Sequence, residues 1–89
     1  MTHHIIGKFQ VDNLDEWKKV IESDKKAHQE AGLRFSKVWK NVDNPKQIFF
    51  LFEVEDLNIA KSFLQKAGAL DPEKQAKGEI PELTFLEFA

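Results

Sequence analysis

A chain of 89 residues, 42 % hydrophobic with eight Phe and two Trp, supports one domain, residues 1–89, with a thin core. A formal charge of −2 gives phosphate backbones and anionic membranes little to attract, which counts against nucleic acid or a membrane as partner. Without Cys there is no disulfide scaffold, thiolate metal site or thiol nucleophile, and no apolar run nears the roughly 20 residues of a membrane span, so the cytoplasm is the default location.

Residues 3–11, HHIIGKFQV, fit a first strand better than a helix. Asn13 followed by Glu16 forms a capping-box pattern. The segment beyond it sets Leu14, Trp17, Val20, Ile21, Ala27, His28 and Ala31 along one side of a first helix, with Gly32 as its left-handed stop. Residues 33–40, LRFSKVWK, read as a second strand, and 41–46, NVDNPK, as a loop suited to a tight reversal. Residues 47–54, QIFFLFEV, form a third strand that is oily on both sides. One side carries Ile48, Phe50, Phe52 and Val54, and the other Gln47, Phe49, Leu51 and Glu53. Asp56 caps a second helix with Ile59, Ala60, Phe63, Leu64 and Ala67 as its buried stripe and Gly68 past its end. A polar connection, 69–82, has room for a single turn at 72–76, and residues 83–88, LTFLEF, alternate as a fourth strand.

The order βαββαβ with short connections predicts an α+β, ferredoxin-like fold: a four-stranded antiparallel sheet with two helices on one face. An unbroken hairpin with Lys40 opposite Gln47 pairs Trp39 with Ile48, Lys37 with Phe50, Phe35 with Phe52 and Leu33 with Val54 under the helices. Its open side pairs Val38 with Phe49, Ser36 with Leu51 and Arg34 with Glu53. A one-residue bulge at the loop would reverse one strand relative to the other. In the unbroken register Phe49, Leu51 and Val38 would lie in water unless something covers them, and a second copy stacked through the same face would do so.

Taken as chemistry, Arg34 and Glu53 are the most informative pair. They either orient a polar substrate group, with Glu53 able to move a proton, or form a cross-strand ion pair. His28, one turn after Asp24, is a further weak catalytic candidate or half of a plain helix pair; with no third ligand in view, no metal is expected. His3 and His4 point apart on their strand, which leaves His4 able to reach a cavity. Trp17 and Trp39 both fit the core between helices and sheet. Val38, Phe49 and Leu51, with Glu53 and Arg34, are the candidate ligand-binding residues, either as a dry pocket or as a packed interface. Phe49 could also stack a base as in an RNA-recognition module, but the basic, glycine-containing signature of such a module is absent.

The run VDNPKQIFFLFEVED resembles the hairpin and third strand of the dimeric α/β barrel superfamily, where an Asp/Asn-Pro turn leads into an apolar strand ending in Glu and then a helix. VDNLDEW and HQEAGLR are similar to the entry and exit of the first helix in its small cyclase-like members. The resemblance covers nearly the whole chain. It implies a homodimer whose two sheets close a barrel around a central cavity, and with the amphipathic open face it leads to the expectation of a small aromatic or polyketide-like molecule bound there. Cofactor-free quinol monooxygenases, polyketide cyclases and haem-degrading enzymes share that plan. The expected function is therefore cofactor-free oxygenation or cyclisation, with a non-catalytic dimeric binding or interaction module as the alternative. The pattern departs where small cyclase-like relatives carry a His late in the first strand, here Phe9, or a His or Arg in the first helix, here Asp24 and His28. It departs again two residues after the strand-ending Glu, where the monooxygenase type has Trp and this chain has Glu55.

Overall fold

The protein is described here by a computed structural model covering residues 3–89. Strands β1 (His3–Gln10), β2 (Leu33–Lys40), β3 (Gln47–Val54) and β4 (Glu82–Glu87) form one sheet in the order β2-β3-β1-β4, with every neighbouring pair antiparallel. Helices α1 (Leu14–Ser23), α2 (Lys25–Glu30) and α3 (Leu57–Lys66) supply the cover, and a short α4 (Pro72–Ala76) occupies the connection into β4. This is the ferredoxin-like arrangement that the order of elements predicts.

Its centre is β3. Ile48 and Val54 are fully buried, with Phe50 and Phe52 nearly so, while Gln47, Phe49, Leu51 and Glu53 on the opposite side are only half-buried. Ile5, Leu33 and Ala60 complete the inner layer, and Leu14, Trp17, Ile21, Leu57, Phe63 and Leu64 pack against it. Trp17 lies with its ring centroid 5.1 Å from that of Phe50, and Phe35 stands edge-on to Phe52 at 5.5 Å. The second contact brings the positive edge of one ring to the negative face of the other.

The unbroken hairpin register holds only over its first half. Leu33, Arg34 and Phe35 oppose Val54, Glu53 and Phe52 as expected, but a bulge between Phe35 and Lys37 then shifts the pairing. Lys37 opposes Leu51, Val38 opposes Phe50, and Trp39 opposes Phe49. The bulge sits at Ser36, within the strand and not at the loop. The physical reason is plain in the residues: without it Lys37 would lie under the helices opposite Phe50, an unpaired charge in an apolar layer. With it, Val38 packs against the core, while Lys37 and Trp39 turn to the other face. Trp39 is 48 % exposed and is not part of the core between helices and sheet.

Helix boundaries follow their caps. Asn13 Oδ1 accepts from the Glu16 amide at 3.1 Å, and Asp56 Oδ1 accepts from the Ile59 amide at the same distance. Gly32 and Gly68 terminate their helices at φ 74 and 75. Replacement of Asp56 by Ala is expected to lower stability by about 1 kcal/mol, read as a shifted urea midpoint at constant slope. The first helix is not continuous. The position of its stripe between Ile21 and His28 falls to Asp24 and Lys25, both exposed, and the helix breaks at Asp24 into α1 and α2. Val20 and Ala27 lie off the stripe and are exposed. On α3 the inward residues are Leu57, Ala60, Phe63 and Leu64, whereas Ile59 is 52 % exposed and Ala67 also faces out.

Candidate functional site

The face of the sheet away from the helices is the part of the molecule whose composition the fold does not explain. The cross-strand registers order it into rows, since directly opposed residues share a face. One row runs Arg34, Glu53, His4, Leu86 from β2 to β4; the next runs Lys37, Leu51, Ile6, Thr84; the third runs Trp39, Phe49, Lys8, Glu82. Leu51, Ile6 and Phe49 lie at the centre of this face, Arg34, Lys37 and Trp39 line its β2 edge, and Glu53, His4 and Lys8 stand within the rows on either side of the apolar centre. A shallow cavity of about 210 Å³ lies against Ile6, Gly7, Lys8, Phe49, Glu82 and Thr84.

In the first row the Arg34 guanidinium is ion-paired and hydrogen-bonded to Glu53. Arg34 is largely exposed, so the pair contributes little to stability, roughly 0 to 1 kcal/mol. His4 is half-buried beside Glu53 and meets the Phe88 ring edge-on at 5.5 Å. In the third row Lys8 Nζ lies 3.6 Å from a Glu82 oxygen.

Of the residues singled out in the sequence, Arg34, Glu53, Phe49 and Leu51 come together on this face. Val38 does not: the bulge carries it to the helix-covered side. His28 is also elsewhere. It sits under the helices, edge-on to Phe52 at 5.3 Å and to Phe63 at 6.0 Å, beside a cleft of about 130 Å³ between α2 and β2. Lys37, Trp39 and Ile6 join the open face instead. The signal that would have found the first two is the charge of Lys37 itself, which an unbroken register would bury.

Burial of His28 lowers its pKa from the ordinary 6.5, and the Asp24 carboxylate opposes that shift without cancelling it. The folded state therefore binds this proton less readily than the unfolded chain does. The contribution of the neutral ring is fully present above pH 6.5 and is lost as the pH falls through the lower folded-state value. A His28→Gln variant is expected to lose less stability than the wild type between about pH 7 and about pH 5, compared by urea midpoints. Equal losses in both proteins would remove His28 as the cause.

Among the described residues, no group of three or more His, Asp or Glu is placed to hold a metal ion, and no helix is long and apolar enough to cross a membrane. No protein-family model and no curated protein matches the chain. Solved structures do. An antibiotic biosynthesis monooxygenase-like protein from Bordetella bronchiseptica superposes with TM-score 0.67 at 12 % identity, over 99 % of this chain and 97 % of that one. A NIPSNAP family protein from Agrobacterium tumefaciens gives 0.59 at 11 %, over 100 % and 94 %. SnoaB, a cofactor-independent oxygenase from Streptomyces nogalater, gives 0.53 at 14 %, over 99 % and 92 %. Identities this low speak for architecture alone: the chain has the ferredoxin-like fold that antibiotic biosynthesis monooxygenase-like and NIPSNAP proteins share.

Proposed function

We propose that the chain forms a homodimer by stacking the open faces of two sheets, and that the dimer holds a small aromatic molecule between them and oxygenates it with dioxygen, without a resident cofactor. The observation that carries this reading is the open face itself, with Trp39, Phe49, Leu51, Ile6 and Leu86 on the side of the sheet opposite the core under α1 and α3. Each of the larger apolar side chains gains roughly 1.5 to 3 kcal/mol from full burial, and a second copy supplies that burial by symmetry. The neighbouring folds of monooxygenase-like proteins and of a cofactor-independent oxygenase support the choice of chemistry.

Within such an enclosure His4, which stands beside Glu53 in the first row, is placed to take the proton of a bound phenol or quinol, leaving the electron-rich phenolate that reacts with dioxygen. The test is oxygen uptake with a panel of quinols and phenols by dimeric protein, together with mass spectrometry of any compound that co-purifies. Turnover that falls by about 100-fold in His4→Gln supports the reading. A second reading, a dimer that binds without catalysis, is favoured by the Arg34–Glu53 ion pair, which occupies the one carboxylate of the first row. Saturable binding with no oxygen uptake would decide for it.

A further inference from the structure

The bulge at Ser36 gives the open face a charge that its other residues do not answer. The face carries three cations, Arg34, Lys8 and Lys37, against two carboxylates, Glu53 and Glu82. Arg34 is paired with Glu53 and Lys8 with Glu82. Lys37 makes no ion pair among the described residues, and its cross-strand partner is Leu51. This face is thus net positive on a chain whose total charge is −2.

Two residues further along the same face of β2 stands Trp39, with Phe49 directly opposite. Positions i and i+2 of a strand are about 6.6 Å apart, a distance that an aromatic ring with a directly attached acidic group bridges. We infer that Lys37, with Trp39 and Phe49, forms an anion-selective subsite for an aromatic carboxylate or phenolate, the ring resting on the two aromatic side chains and the acid meeting the ammonium. The inference rests on the dimer reading above, because stacking the sheets would bring the two copies of Lys37 into a shielded space. There an ammonium without a counter-charge is costly, whereas an ammonium paired with an anion is stabilised more strongly than in water.

The test measures binding of naphthoate and of its neutral, similarly shaped amide to the full chain by tryptophan fluorescence, with sedimentation of the same samples. Naphthoate is expected to bind the wild type at least about tenfold more tightly than naphthamide, with the difference shrinking in high salt. Lys37→Met should bring the two ligands within about twofold by weakening naphthoate alone, and Lys37→Arg should keep the preference. Trp39→Leu should weaken both ligands alike. Equal binding of acid and amide to the wild type, no binding of either, or a preference that survives Lys37→Met would overturn the subsite. Sedimentation separates the two readings. A dimer without the preference loses the subsite and keeps the dimer, and a monomer that still prefers naphthoate loses the dimer and keeps the subsite.

Discussion

Substituting alanine for Gly7 is expected to destabilise the fold by about 2 to 3 kcal/mol, although alanine is the better residue in most strands. Gly7 lies in the middle of β1, directly opposite Phe50, and the Phe50 ring crosses over it. A Cβ at this position would fall inside the van der Waals envelope of that ring, against three of its carbons. Phe50 is 4 % exposed and wedged against Trp17 and Phe52, so the ring has no free space to move into. The clash must then be taken up by off-rotamer side chains or by displacement of the central strand pair. A double-mutant cycle checks the cause. Phe50→Leu alone should cost about 1 to 2 kcal/mol, and Gly7→Ala in that background should cost less than it does in the wild type, with a coupling of about 1 kcal/mol. Strict additivity would mean that the ring is not what excludes the methyl group. An Ala variant as stable as wild type would remove the close approach altogether.

Leu51→Glu is expected to abolish the proposed dimer while leaving the subunit folded. Leu51 is at the centre of the open face, between Lys37 and Ile6, and only half-buried in the single chain, so its loss barely touches the core. In a twofold interface every substitution acts twice. A charge at the centre, at about 2 kcal/mol per copy, weakens association by about a thousandfold. Because Lys37 is the cross-strand neighbour, the new carboxylate gains a local partner, and Leu51→Lys is the control without that compensation. Both variants should sediment as monomers with wild-type circular dichroism. A Leu51→Lys protein that remains a tight dimer would end the stacked-sheet proposal and the enclosed reaction with it.

How far the residues alone disclose this arrangement differs from element to element. The alternation of QIFFLFEV, the caps at Asn13 and Asp56 and the stops at Gly32 and Gly68 are local signals, and the fold follows them. The second strand is harder because LRFSKVWK has apolar residues in both phases after Ser36. A continuous register and a bulged one each place one large apolar side chain on each face. Nothing in Ser36 itself marks a bulge, as a left-handed glycine would. What distinguishes the two phases is energetic: one buries Lys37 opposite Phe50 and the other does not. Helix α3 shows the same limit on a smaller scale, since Ile59 and Ala60 are adjacent and only packing reveals that the smaller one faces the sheet. The sequence places His28 one turn after Asp24, but its aromatic surroundings come from β3 and α3, which are distant in the chain.

The irregularity at Ser36 bears on more than the pairing within one hairpin. Since β2 is an outer strand, its unpaired amides and carbonyls could serve as a template on which another chain adds a strand, the route toward fibrils. A local twist and a missed rung halfway along spoil that template. Straightening the strand by deleting Ser36, which leaves Lys37, Val38 and Trp39 opposite the same partners, should therefore produce a protein that is quicker to form thioflavin-positive aggregates, a hazard the native chain blunts with a single extra residue.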